Sequence, residues 1–232
     1  MFGFETAATA LSTLYMVAGL AACPSPQKVD VDVKLVVKES PYITNVTATQ
    51  MTQMFQADPD ATTSTDGKWM TVGLTKSNLS GQFSANFYSH TNTKTKEACL
   101  AVDKVDYVIT YTPLVYVASD YKKLGCSYSV TLAHEKRHVN TDKRVIDQFI
   151  PDMKNEIQRL VKKMPAQGPY PAAQVQAQQQ RILAEVSAVT QPYMDQLIAK
   201  RRVEQAKIDT IENYMKETSL CPGQFPNFDG SK

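Results

Sequence analysis

Apolar and polar residues alternate from Val29 to Val37 (Val-Asp-Val-Asp-Val-Lys-Leu-Val-Val), the period of two that puts successive side chains on opposite faces of a strand. A polar stretch follows. With Asp58-Pro59-Asp60 and a Thr/Ser/Gly cluster up to Gly67, it reads as a loop. Trp69 to Thr75 and Phe83 to Tyr88 read as two further strands. Val105 to Val117 is rich in Val, Ile, Tyr and Thr and is the strongest strand pattern in the chain, broken or bent at Pro113. Asp120 to Gly125 reads as a turn.

From Ser127 the period becomes helical, with Ser127 or Ser129 as the expected cap. Pro151 is expected to kink this helix or to open a second one over Asp152 to Met164. Pro165 to Pro171 is a breaker. Ala172 to Thr218 is a long Gln- and Ala-rich helical stretch interrupted at Pro192. Its apolar residues, among them Val175, Ile182, Val186, Val189 and Tyr193, recur loosely at three and four. That stripe predicts intramolecular packing as a helical hairpin, since the heptad is too irregular for a coiled coil. The pattern as a whole predicts an α+β fold: a small, mostly antiparallel sheet on the helix that begins near Ser127, then a C-terminal helical hairpin. The units expected are 29–164, 172–218 and a tail over 219–232.

The N-terminus adds a compartment. Thr6 to Ala22 is an apolar run of small and aliphatic residues, too short to span a membrane comfortably, and it reads as a signal peptide over residues 1–22. It ends in Leu20-Ala21-Ala22-Cys23, which resembles a bacterial lipobox and makes Cys23 a lipidation candidate and the N-terminus a membrane anchor. The absence of Lys and Arg from Met1 to Phe4, and the acidic Glu5, depart from the usual basic start. The expected location is therefore outside the cytoplasm, in a periplasm or on an outer membrane. Four cysteines, Cys23, Cys99, Cys126 and Cys221, permit three pairings. Cys99–Cys126 is favoured, because the two flank the strand region before the helix. A Cys23–Cys221 bridge stays open and would exclude lipidation. The formal charge of +2 is close to balance, and the absence of a basic block excludes a nucleic-acid partner.

The chemistry centres on His134-Glu135-Lys136-Arg137-His138. Residues four apart share one helical face, so the two imidazoles converge on one Zn2+ ion. Glu135 beside the first histidine reaches a zinc-bound water, takes its proton and passes it to the leaving amine. The chain has three histidines and spends two of them here. Donors for the oxyanion are Tyr128, Tyr121 and Arg137, which nothing ranks.

From about Gly73 to Val145 the chain resembles the predicted secreted zinc-dependent proteases of bacteria, within the zincin group. The matching features are Gly73-Leu74-Thr75, a following strand pair, Cys99, the Val/Ile/Tyr-rich strand ending near Ala118, Cys126 and the HExxH itself. The resemblance implies a zincin-like fold in which a short sheet packs on the motif helix and an edge strand holds substrate extended. It makes His134 and His138 zinc ligands and Glu135 the general base. The Gly and third His of metzincins are absent. Asp142, four residues beyond His138, is one candidate third ligand, provided the helix ends near Asn140-Thr141. Glu156 is an equal one, with Asn155-Glu156 echoing the Asn-Glu pair of thermolysin-like enzymes, provided Pro151 marks a reversal. His90 ranks behind them. The expectation is an exported zinc metallopeptidase acting on a peptide or protein. Its rival is a non-catalytic envelope scaffold that meets a protein partner through the C-terminal helices.

Overall fold

The longest strand organises the molecule because its residues suit nothing else. β-Branched and aromatic side chains alternate with polar ones along β3 (Glu97–Val117), and Val105, Tyr107, Ile109, Tyr111, Val115 and Val117 all turn to one buried face. In this computed structural model, which describes residues 23, 28–39, 41–57, 70–121, 123 and 125–225, three other strands pair with it. β1 (Asp30–Val37) lies parallel on one side. β2 (Gly73–Thr91) lies antiparallel on the other, and β4 (Gln167–Pro171) pairs with the start of β3. The sheet is thus mixed, in the order β1-β3-β2, with one parallel pairing and two antiparallel ones, as a mostly antiparallel sheet requires. The helices are α1 (Ala48–Gln56), α2 (Cys126–Lys162), α3 (Val175–Ala206) and α4 (Ile211–Thr218), with a 3-10 turn over Ala172–Gln174 before α3. The fold class is α+β. The expected signal segment and the loop over 58–67 lie outside the described residues.

Two irregularities in β3 have physical causes. Its register with β2 steps from Asn86↔Lys104 to Phe87↔Val102, so Asp103 is an extra residue, exposed, at a bulge. A bulge flips the face on which following residues point. The buried set accordingly changes from Ala98, Leu100 and Val102 to the odd positions from Val105 onward. Pro113 neither breaks nor ends the strand. The Tyr111 carbonyl accepts from Lys38 and the Val115 carbonyl from Ile43. Pro113 falls between these two bonds on the same edge, where β1 has ended and no N–H is called for.

β2 replaces the two short strands expected. Its middle, Lys76 to Gln82, is too polar to read as strand, but the segment is half exposed and held by β3. α1 falls inside the stretch read as loop. Its signal is a capping box, in which the Thr47 hydroxyl accepts from the Gln50 N–H and the Gln50 side chain accepts from the Thr47 N–H. α2 and α3 run unbroken through Pro151 and Pro192. Both prolines face solvent, where water can satisfy the carbonyl each leaves unbonded.

One apolar core joins these layers. Val145, Ile146, Met153, Ile157 and Val161 of α2 meet the buried face of β3, Val31 and Val33 of β1, and Ile182, Val186, Met194 and Leu197 of α3. The apolar stripe of α3 is therefore spent on α2 and the sheet.

The bridges are Cys23–Cys99 and Cys126–Cys221, correcting the expected Cys99–Cys126. Most of β3 lies between Cys99 and Cys126, and at about 3.3 Å per residue a strand of that length holds its ends tens of ångströms apart. A disulfide needs Cα atoms within about 7 Å. The bridges observed have Cα separations of 5.5 and 5.8 Å. Lipidation of Cys23 is corrected with them, since its sulfur is committed to Cys99 and cannot also form a thioether. Two disulfides suit an oxidising compartment, and no helix among the described residues is long and apolar enough to cross a membrane.

Gly81 tests the packing. A Cβ there would stand 1.9 Å from the hydroxyl of Tyr107, a residue only 4 % exposed. Gly81→Ala is expected to destabilise by about 1–3 kcal/mol through overpacking, read as a lower urea midpoint at unchanged m-value.

Candidate functional site

One stripe of α2 is buried along its length, but its chemistry changes midway. The C-terminal half is apolar. The N-terminal half buries Thr131, His134, Glu135, His138 and Asp142. Burying such groups is costly unless each is partnered, so their neighbours determine what the site can do. The helix begins after Gly125, with no side-chain cap, rather than at either expected serine.

His134 and His138, 5 % and 8 % exposed, bring their Nε2 atoms to 3.0 Å of each other. Asp209, from the loop between α3 and α4, places Oδ1 3.1 Å from both. What lies behind the rings fixes which nitrogens carry protons. His134 Nδ1 is 2.9 Å from Glu217 Oε2, and a carboxylate only accepts, so Nδ1 donates. Arg137 donates to the same carboxylate, which explains its nearness to that ring. His138 Nδ1 faces the side-chain oxygen of Gln205. That amide cannot be the other way round, because its nitrogen donates to the His138 carbonyl (3.0 Å) and to Asp142 Oδ1 (2.6 Å). With Nδ1 as the donor in each, the neutral form of either ring presents an Nε2 lone pair to the point that Asp209 Oδ1 also faces.

Three acceptors at 3.0–3.1 Å repel unless something positive lies among them. A single proton serves one pair. A divalent cation serves all three, and ligand atoms of a tetrahedral site with bonds of about 2.0 Å stand roughly 3.3 Å apart. Two imidazoles and a carboxylate, each ring backed by an acceptor, form a donor set that fits zinc. Where no cation is bound, a proton on His138 supplies the positive charge. Burial lowers the His138 pKa, but hydrogen bonding to Asp209 and the charges of Asp209 and Glu135 outweigh it and bring it to about 9. Burial raises the Asp209 carboxyl, but the hydrogen bonds from His134 and His138 and the His138 charge hold it well below the usual range. Tyr214 stacks on His134 with centroids 5.2 Å apart and donates to Asp209 Oδ1 at 2.6 Å.

Glu135 is held from the opposite side, by the sheet. The Thr75 hydroxyl donates to its Oε2 at 2.7 Å. A Cβ on Gly73 would stand 2.3 Å from Oε1, so only glycine leaves room for this carboxylate. Burial raises its pKa, opposed by the two histidines and Thr75.

None of the expected third ligands joins the histidines. Asp142 sits one turn further along, because α2 continues past Asn140-Thr141. There it takes Nε and Nη2 of Arg201 at 2.9 and 2.5 Å, the Tyr111 hydroxyl at 2.9 Å and the Gln205 amide. Glu156 needed a reversal at Pro151 that the helix does not make, and it pairs with Arg159 instead. His90 lies on β2 opposite Cys99, at the far end of β3, and is exposed. Of the expected oxyanion donors, Tyr128 is buried in the first turn of α2, Tyr121 packs edge-on to Phe225, and Arg137 is paired with Glu217. The residues missed are Gln205, Asp209, Tyr214 and Glu217. Asp209 follows His138 by 71 positions, and only Cys221, bridged to the first residue of α2, carried a signal that this segment returns to the motif.

The chain matches no family model, no curated protein and no solved structure.

Asp142→Ala leaves the Arg201 guanidinium, 13 % exposed, without its carboxylate. Breaking a buried pair in this way costs about 3–5 kcal/mol, to be read in urea denaturation.

Proposed function

We propose that the protein is an exported zinc metallopeptidase of zincin-like design, with His134, His138 and Asp209 as zinc ligands and Glu135 as general base. The observation that carries this reading is the meeting of three lone-pair donors beside a buried carboxylate that none of them uses. Of the other candidates for the third position, Asp142 and Glu156 are paired elsewhere and His90 lies at the far end of β3.

Bound zinc would supply Lewis acidity, lowering the pKa of a water so that it attacks a peptide carbonyl near neutral pH. The remaining work falls to this chain's side chains. Glu135, its Oε2 tied to Thr75, accepts the proton of the attacking water and delivers it to the leaving amine. Glu217 and Gln205 accept from the two Nδ1 atoms, which leaves the Nε2 atoms to serve as ligands. β2 passes Glu135 at Gly73–Thr75 as an outer strand of the sheet, where an extended peptide can be laid beside the base. The zincin-like resemblance of Gly73 to Val145 supports the same reading, and the two disulfides support export to the periplasm. The rival, a scaffold with a helical interaction arm, has less support, because α3 buries its apolar stripe in the core and delivers Gln205 to the site.

Metal analysis and hydrolysis of an unfolded protein substrate test the proposal together. Wild type is expected to hold zinc stoichiometrically, and His134→Ala and Asp209→Ala to lose it. Glu135→Gln should keep the metal while kcat/KM falls by about 10²-fold or more. Chelation should abolish hydrolysis and added zinc restore it. A wild-type chain that binds no zinc would overturn the reading, and hydrolysis surviving Glu135→Gln would remove the proposed base.

A further inference from the structure

The three side chains that close over the histidine pair from the C-terminal side, Asp209, Tyr214 and Glu217, all belong to one short segment, Lys207–Cys221. What holds that segment down is unusual. α4 buries none of its residues, and Ile211, Met215 and Leu220 are 65 %, 67 % and 63 % exposed. Its other bonds are mostly its own: the Thr210 cap on Asn213, and Asn213 donating to the carbonyls of Lys207 and Ile208. A helix of this length has little stability alone. The segment is therefore fastened by polar contacts to the histidine cluster at its centre and by the Cys126–Cys221 bridge at its end.

We propose that Lys207–Cys221 is a strap whose closure and metal binding are one coupled event, and that the Cys126–Cys221 bridge sets the metal affinity. The proposal rests on the metal-site reading above. With the bridge closed, Asp209 is an intramolecular ligand at high effective concentration beside the two imidazoles. With it open, the strap must be ordered at the expense of binding, and affinity falls. Linkage makes this reciprocal, so bound metal also holds the strap closed. The two cysteines differ in exposure: Cys126 is exposed and Cys221 is 1 % exposed. The thiolate of a reducing dithiol therefore attacks Cys126 and expels the Cys221 thiolate. The dithiol's second thiol then resolves the mixed disulfide, so two electrons pass to the protein and the dithiol leaves as its own disulfide. The other bridge, Cys23–Cys99, lies at the opposite end of β3 and serves as an internal control.

The test compares zinc affinity, by competition with a chromogenic chelator, in the full chain and two variants. Cys126→Ser/Cys221→Ser should bind zinc about 10–100-fold more weakly, the range for losing support around a ligand. Cys23→Ser/Cys99→Ser should stay within about threefold, as a distant site. Trypsin supplies a readout independent of activity: cleavage after Lys207 and Lys216 should speed up in the first variant, and zinc should slow it in wild type. If the first variant fails to fold, Cys23→Ser/Cys99→Ser protein reduced in place with a non-chelating phosphine, which leaves as the phosphine oxide, gives the same comparison. Equal affinity with and without the Cys126–Cys221 bridge overturns the coupling while leaving the metal site intact. An equal loss in Cys23→Ser/Cys99→Ser also overturns it. Wild type without affinity for zinc overturns the coupling and the metal-site reading together.

Discussion

Two imidazole nitrogens and a carboxylate oxygen that converge on one point need positive charge among them, a proton or a cation, and a structure behind them that holds them there. Much of the molecule can be read as that support. α2 supplies both histidines at the spacing that aligns them. Glu217 pins one ring and Gln205 the other. Gln205 is in turn oriented by Asp142, and Asp142 by Arg201 and Tyr111. The chain of contacts ends in the apolar core, where Tyr111 is fully buried among β3 and α2. The buried stripe of α2 thus serves two purposes, adhesion in its second half and a polar framework in its first.

What the sequence revealed and what it hid divide along the range of the interaction. The HExxH helix, β1 and β3 are local patterns, in which residue type and spacing carry the information. The capping box of α1 was equally local, Thr47 to Gln50, and was lost only within a polar surrounding. β2 was fragmented because its polar middle is stabilised by a partner strand rather than by its own composition. Pro151 and Pro192 misled for a related reason. Their cost depends on whether the carbonyl they leave unbonded meets water, and that depends on which face packs against the core.

The third ligand could not be read by spacing at all. Asp142 has the right chemistry at a helical interval, but a ligand on the same straight helix lies too far along the axis to join His134 and His138. It became instead the buried carboxylate that fixes Gln205. Asp209 has no spacing relation to the motif; it arrives because α3 runs back along α2 and delivers the following loop to the site. The cysteines carried that information in a form a single sequence does not decode, since four cysteines leave three pairings open. The length of β3 removes the pairing that contains Cys99–Cys126, and the fold chooses between the two that remain.

The site is also assembled from two sides. Thr75 and Gly73 belong to the sheet and hold Glu135; Gln205, Asp209 and Glu217 belong to the C-terminal half and hold the proposed metal's ligands. For the proposed chemistry this separation has a consequence. Loosening the C-terminal contacts would disturb the ligands while leaving the base where the sheet puts it, tied to Thr75 in a buried pocket. The two histidines share α2 with Glu135, so it is Asp209 that can be out of register with the base in one state of the molecule and in register in another. The position of the C-terminal segment would then govern catalysis without any change at Glu135.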